Sequence, residues 1–298
     1  MTDYRCIVGR DGVRRISFLA NYRSKIVMMS ARENAKRGID FLFGRHAAWV
    51  YATQLCWRAP RAWRKKPELQ LVPRLIRGGD QVIDVGANGA DWTLAMSRQV
   101  GSTGRVYAFE ADPFYADVTT KTLLLMRARN VAFFRCGLSD RTGPAELLIR
   151  NEEDERMAGT SRILAGSGAE TLGRTVAIHL ERLDDVAATH PGLWSARFMK
   201  CDVEGHELMV FRGAEKVLMR ARPIVCFEVG IAHLHGYQEQ DTYRFFEALG
   251  YRRYELSFEG RHLRMKTVPI LDRADGHLDV VMAPEEQDMS DALEIAGA

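Results

Sequence analysis

The stretch that most constrains this chain is residues 82 to 93, Val-Ile-Asp-Val-Gly-Ala-Asn-Gly-Ala-Asp-Trp-Thr. A short apolar run ends in an acid, opens into small residues and passes into an amphipathic segment. That order predicts a strand, a tight loop and a helix. Gly86 and Gly89 let the backbone bend where side chains would collide, and the amides at the start of the next helix favour a ligand's polar or anionic end. Glycines after a strand are also ordinary turn punctuation, so a cofactor loop needs support from elsewhere in the chain.

That support lies downstream. From residue 68 the pattern alternates: a helix over 68–77 closed by Gly78-Gly79, a strand over 81–85, a helix over 91–100 closed by Gly101, and a strand over 105–109 ending in Glu110. A helix over 114–129 follows. In a parallel sheet with right-handed crossovers the C-terminal ends of neighbouring strands share an edge, which predicts Glu110 beside the Gly86 loop. A carboxylate there accepts hydrogen bonds from both hydroxyls of a ribose. A third strand over 131–136 ends in Gly137-Leu138-Ser139-Asp140, a small-residue loop where an adenine ring would lie. Together these strand ends predict a nucleoside cofactor.

Asp84-Val-Gly86-Ala-Asn88 with Glu110 resembles the class I S-adenosylmethionine-dependent methyltransferases. A nicotinamide-binding fold is the close competitor, but Asn88 and Asp91 stand at the second and third glycine positions of the pattern that cradles a pyrophosphate. The resemblance sharpens at residues 198–207, Phe-Met-Lys-Cys-Asp-Val-Glu-Gly-His-Glu, preceded by Leu183-Asp184-Asp185. These motifs in order resemble the FkbM family of methyltransferases over residues 68 to 284. The resemblance implies methyl transfer from S-adenosylmethionine to hydroxyl oxygens, often of sugars or natural-product scaffolds. One departure stands out: this chain has Gly89-Ala90 where the family usually has Gly two positions after the Asn.

The expected fold is α/β, a Rossmann-like seven-stranded sheet, mostly parallel with an antiparallel strand, over residues 67–298, preceded by a basic helical extension over 1–66. A fifth strand over 224–227 leads into Glu228 and a loop with Gly230, His233 and His235. Segments 251–258, 261–266 and 277–282 supply the closing antiparallel strands. Residues 141–180 interrupt the rhythm with two short strands around a polar, Gly-rich tract, which reads as a solvated connection or a substrate lid.

The cofactor contacts implied are Asp84, Gly86, Ala87, Asn88, Thr93, Glu110, Ala111, Gly137, Leu138 and Asp202. Asp202, His206 and Glu228 are the catalytic candidates, placed at the rim by strand ends to take the proton of an acceptor hydroxyl. Asp202 has a plainer reading as a helix cap, as have its neighbours Glu204 and Glu207 as favourable charges at a helix start; His233 and His235 read as ligands or as ordinary surface loop histidines. No residue is assigned to a metal, and acids gathering a divalent cation are the lesser alternative.

The chain's 298 residues, 46% hydrophobic and 27% charged, suit one large domain plus an extension. No stretch approaches the roughly 20 apolar residues of a spanning helix, and the arginine-rich start lacks a signal-peptide shape, so a cytoplasmic protein is expected. Cys6, Cys56, Cys136, Cys201 and Cys226 are widely spaced and predicted reduced. The net charge of +3 hides an asymmetry: residues 1–74 hold 16 Lys/Arg against 5 Asp/Glu, leaving 26 against 34 for the rest. Trp49, Trp57 and Trp63 stand among Arg45, Arg58, Arg61 and Arg64. This front is a helical cap, or a contact to an anionic membrane surface carrying a small-molecule or glycan acceptor.

Two rival functions remain. A nucleic-acid methyltransferase accords with the basic front, but no Asn-Pro-Pro-aromatic motif follows the fourth strand and Cys201 lacks a preceding proline. A non-enzymatic cofactor-binding protein is the third reading. The sequence leaves the acceptor's identity and the oligomeric state open.

Overall fold

The protein is described by a computed structural model over residues 46–62, 66–150, 162–163, 174–230, 232–259, 262–269 and 278–289. Its centre is β1 (Gln81–Val85), flanked by β2 (Arg105–Phe109) on one side and β8 (Ala196–Cys201) on the other, all parallel. Val82, Ile83 and Val85 are buried to 1% or less, so both faces of β1 are covered, as expected of a central parallel strand. β3 (Val131–Phe134) lies outside β2, and β9 (Ile224–Val229) outside β8. Beyond β9 come β12 (Leu278–Pro284), β10 (Tyr251–Glu259) and β11 (His262–Val268), giving the order β3-β2-β1-β8-β9-β12-β10-β11.

The sheet therefore has eight strands rather than the expected seven. The cause is the pairing of β11 with β10. The antiparallel ladder runs from Arg253 opposite Val268 to Glu259 opposite His262, so β11 extends the same sheet. β12 and β11 are the two strands that run against the others, since each ladder from β9 outward is antiparallel.

Helices cover both faces. α2 (Leu71–Leu75) and α3 (Asp91–Val100) pack on one side with Val82, Val106 and Phe198, where Trp92 stacks on Phe198 at 6.1 Å. α4 (Pro113–Met126) completes the crossover from β2 to β3. α5 (Leu183–Thr189), α6 (Glu207–Gly213), α7 (Glu215–Ala221) and α8 (Glu239–Ala248) belong to the other side, whose core includes Ile83, Phe109, Phe211, Phe227 and Phe246. Each such fully buried side chain contributes roughly 1.5–3 kcal/mol. Asp184, from the Leu-Asp-Asp motif, accepts from the amides of Lys216 and Val217, so it caps α7.

A second sheet, order β4-β7-β5-β6, follows β3. β5 (Gly143–Arg150) and β7 (Arg174–Glu181) are antiparallel, with β6 (Arg162–Ile163) against β5 and β4 (Gly137–Leu138) against β7. Leu147, Ile163, Ile178 and Leu180 form its small core. The interruption after β3 is thus folded structure at both ends. The tract expected as a connection or lid lies outside the described residues, apart from β6.

Of the basic front, α1 (Ala47–Ala62) is described. It docks on α4 through an edge-to-face contact of Tyr51 with Phe114 at 5.4 Å and through Cys56, whose thiol reaches the Thr122 carbonyl. Trp49 and Trp57 stay exposed, and Trp63 lies outside the described residues. Cys56, Cys136, Cys201 and Cys226 form no disulfide, and Cys6 lies outside the described residues. Among the described residues no helix is long and apolar enough to cross a membrane.

Candidate active site

The C-terminal ends of β1, β2 and β8 open onto one cavity. It is lined by Gly86 and Asn88 from the first loop, Glu110 and Ala111 from the second, Gly137 and Leu138 of β4, and Asp202 and Glu204 from the loop after β8. Parallel strands place these loops side by side although up to 118 residues separate them in the chain.

At one end the polar groups are tied down. Glu110 accepts from the amide of Asn88 at 2.7 Å and from that of Asp112 at 2.8 Å. Burial pushes its carboxyl up to about 7 against those two amides. Asp112 in turn caps α4 by accepting from Phe114 N. The expected adjacency of Glu110 to the Gly86 loop is therefore direct. Gly86 N and Ala87 N both donate to the Phe109 carbonyl, and Ala90 N donates to the Ala87 carbonyl. The first loop therefore presents no spare amide at Gly86, Ala87 or Ala90.

Asp84 is fully buried beneath that loop, accepting from Thr93 Oγ1 at 2.5 Å, and burial raises its carboxyl while Lys200 and Thr93 oppose the rise. Asp84, Ala87 and Thr93 support the loop from below and are not among the cavity's lining residues. Ala90 resolves the departure from the usual glycine: it takes a left-handed conformation, φ 67°, within the interior. Left-handed backbone costs a non-glycine roughly 1–2 kcal/mol, which the packed methyl offsets in part.

At the other end the acids face each other. Carboxylate oxygens of Asp202, Glu204 and Glu228 lie within 4.8 Å of one another. Burial, then the charges of Asp202 and Glu228, push Glu204 up to about 8. Glu204 and Gly205 both have positive φ, 56° and 92°, and this turn swings Glu204 into the cavity. Its plainer reading as a helix-start charge does not describe that position. Glu228 sits within β9, opposite Asp279 of β12, rather than just past the strand. Glu207, by contrast, is spent on its own loop: it accepts from Val203 N and Gly205 N, with burial raising its carboxyl to about 7.

His206 precedes α6 and is 8% exposed. Its Nε2 meets Ser139 Oγ at 2.9 Å, joining the loop after β8 to the loop after β4. Burial, helped by His235 and Arg141, pushes its pKa down to about 3. His206 is not among the residues lining the cavity. His235 packs against it with ring centres 5.3 Å apart and reaches the Glu204 carbonyl, whereas His233 is exposed.

Sequence reasoning did not find Asp112, Tyr115, Leu147 or Ile163, which also line the cavity. Tyr115 sits early in α4, and the placement of Leu147 and Ile163 depends on the second sheet folding back. The sequence signal bearing on that pair was the first of the two short strands read in this region, which holds Leu147.

An acid fixed at the end of β2, a glycine loop after β1 and an acid after β8 define a nucleoside-cofactor site on a Rossmann-like sheet. The profile of the Methyltransferase FkbM domain family matches residues 84–253. The chain belongs to that family of S-adenosylmethionine-dependent methyltransferases. Two proteins named ribosomal RNA large subunit methyltransferase E are similar over shorter stretches. That of Wigglesworthia glossinidia brevipalpis is 33% identical over 64 residues, 22% of this chain and 32% of the relative. That of Alkalilimnicola ehrlichii is 34% identical over 85 residues, 28% and 40% respectively. The matched stretch spans well under half the length of either relative. Among solved structures, the methyltransferase FkbM of Methylobacillus flagellatus KT is similar at 15% identity and a TM-score of 0.43, covering 78% of this chain and 54% of that one.

The family's cofactor fits the residues present. Glu110 retains lone pairs beyond its two amide bonds for ribose hydroxyls. Phe109, Leu138, Leu147 and Ile163 supply an apolar wall near it for an aromatic base. The Asp202 carboxylate, its side chain 42% exposed and paired with Lys200 at 3.2 Å, lines the same cavity.

Proposed function

We propose that this chain is an O-methyltransferase that acts on a hydroxyl of a sugar, glycolipid or natural-product intermediate, with Asp202 as the group that takes the hydroxyl proton. Carrying this reading is the convergence of Asp202, Glu204 and Glu228 at one end of a cavity whose other end holds Glu110. When bound, S-adenosylmethionine supplies an electrophilic methyl on a good leaving group. What the protein adds is alignment and a proton acceptor.

Glu110 is proposed to bind the ribose, Gly137, Leu138 and Ala111 to border the adenine, and Gly86, Asn88 and Asp202 to face the methionine end. Asp84, Ala87 and Thr93 hold that loop in place. Glu228 and Glu204 keep the acceptor hydroxyl near Asp202. His206, neutral and bonded to Ser139, orients the Asp202 loop. A divalent cation on the three carboxylates is the lesser alternative, and chelator-resistant activity would remove it. A cytoplasmic chain, peripheral at an anionic membrane through Trp49, Trp57 and the basic front, accords with the exposure of both tryptophans.

A nucleic-acid acceptor is the second reading, favoured by the similarity to the two proteins named as ribosomal RNA methyltransferases. The test incubates purified protein and labelled S-adenosylmethionine with a cell extract separated into small molecules, lipids and RNA. Label in a base-stable ether of the small-molecule or lipid fraction supports the proposal. Label confined to RNA establishes the second reading, and calorimetry showing no cofactor binding removes both.

A further inference from the structure

Lys200 is a buried cation to which the methyl-transfer reading gives no role. It stands opposite Asp84 in the β1–β8 register, in the middle of the sheet, with a side chain only 7% exposed. Its Nζ donates to the Gly86 carbonyl at 2.9 Å and lies 3.2 Å from Asp202 Oδ2, 3.5 Å from the Val85 carbonyl and 3.9 Å from Asp84 Oδ1. Burial pulls its pKa down, but Asp202 and Asp84 outweigh burial and hold the ammonium charged. An aliphatic side chain would fill this core position without desolvating a charge, so the ammonium matters through the groups it holds.

Those groups belong to two loops already in contact. Gly86 has φ 77°, and a Cβ there would lie 2.0 Å from the Asp202 carbonyl. The Asp202 side chain is 42% exposed and would rotate among its rotamers without a tether. We infer that Lys200 is a positioning residue that clamps the loop after β1 to the carboxylate of Asp202, so that the cofactor end and the acceptor end of the cleft keep one fixed separation. An ammonium has three protons in tetrahedral array, which suits a carbonyl on one loop and a carboxylate on the other better than a single-partner bond would. The consequence for turnover rests on the proposed role of Asp202; the consequence for cofactor binding does not.

The test is a double-mutant cycle of Lys200→Met and Asp202→Asn in the full chain. Methionine keeps the length and removes the ammonium. S-adenosylmethionine affinity is read by calorimetry, turnover with the acceptor found as above, and folding by thermal denaturation. Lys200→Met is expected to weaken cofactor affinity and to lower turnover at least tenfold each. In the Asp202→Asn background its turnover loss should shrink below twofold, because the clamp acts through Asp202. A purely structural lysine would instead multiply its loss in both backgrounds. If Lys200→Met does not fold, Asp84→Asn/Lys200→Met, which removes both buried charges, is compared with Asp84→Asn alone. Unchanged cofactor affinity, or turnover losses that multiply fully, overturns the clamp. Full turnover in Asp202→Asn would remove the base assignment while leaving the affinity comparison to decide the clamp.

Discussion

The two ends of the cleft use the same parts, acids on strand ends followed by small loops, yet they treat their charges differently. At the β1–β2 end, Glu110 is held by two backbone amides and Asp84 by Thr93. At the β8–β9 end, Asp202, Glu204 and Glu228 face one another, and burial, then the charges of Asp202 and Glu228, raises Glu204 to about 8. A carboxylate fixed by amides presents lone pairs in set directions and suits recognition of a ligand. A carboxyl raised by burial and by neighbouring charges, as Glu204 is, holds a proton near neutral pH and suits a place beside a proton transfer.

The largest effect expected from this contrast is on chemistry. Asp202→Asn should lower turnover by about 10²- to 10⁴-fold, the usual contribution of a general base, and cofactor affinity much less, because Asp202 is one of several groups at the methionine end whereas it alone takes the proton. A comparable drop in both would mean that the two ends are not separate in function. Gly86→Ala comes next. Positive φ and the closeness of the Asp202 carbonyl together should destabilise the fold by on the order of 3 kcal/mol, read from denaturant unfolding. A near-neutral result would show that the loop can move away from Asp202.

Glu110→Ala should weaken cofactor binding by about 1–3 kcal/mol, roughly ten- to a hundredfold, with turnover at saturating cofactor little changed. Calorimetry gives the first quantity and saturation kinetics the second. A turnover defect as large as that of Asp202→Asn would erase the distinction between the ends.

Titration of the ligand-free chain should give a smaller effect. Glu204 at about 8 and Glu110 and Glu207 at about 7 all lie above the ordinary 4.5. A raised carboxyl stabilises the fold in its protonated form. That contribution is complete below about pH 4.5 and is lost as pH rises through 7 and 8. The melting temperature should therefore fall across this window, and Glu204→Gln should flatten the upper part of the fall. A stability curve unchanged by that substitution would show that Glu204 is ionised at ordinary pH and that the crowding is not real.

The smallest effect concerns α1 and the front. Changing Arg58, Arg61, Arg64, Lys65 and Lys66 to Gln should reduce sedimentation with anionic liposomes at low salt without altering methylation of a soluble acceptor. If neither form sediments, the front is a helical cap.

Much of the cofactor end was legible in the sequence. β1, α3 and β2 fall on the residues read from it, because period, glycine stops and end acids coincide there, and Glu110 bonds the loop it was expected to adjoin. The acceptor end was only half legible. Asp202 was found from its strand-end position, whereas Glu204 read as a helix-start charge because nothing local announces the left-handed turn that aims it inward. His206 read as a rim base, but a contact with Ser139, 67 residues away, places it in the interior.

By itself, then, the sequence determined the order of strands and helices, the acid and glycine at each strand end, and the family they define. These depend on periodicity and short-range stereochemistry, which are written in neighbouring residues. Tertiary structure alone decided that all eight strands join one sheet, that the short strands after β3 form a second one, the partners of Lys200 and the crowding of three carboxylates. Each of these depends on which distant strands pair and in what register, and that choice is made by burial and hydrogen bonding over the whole sheet.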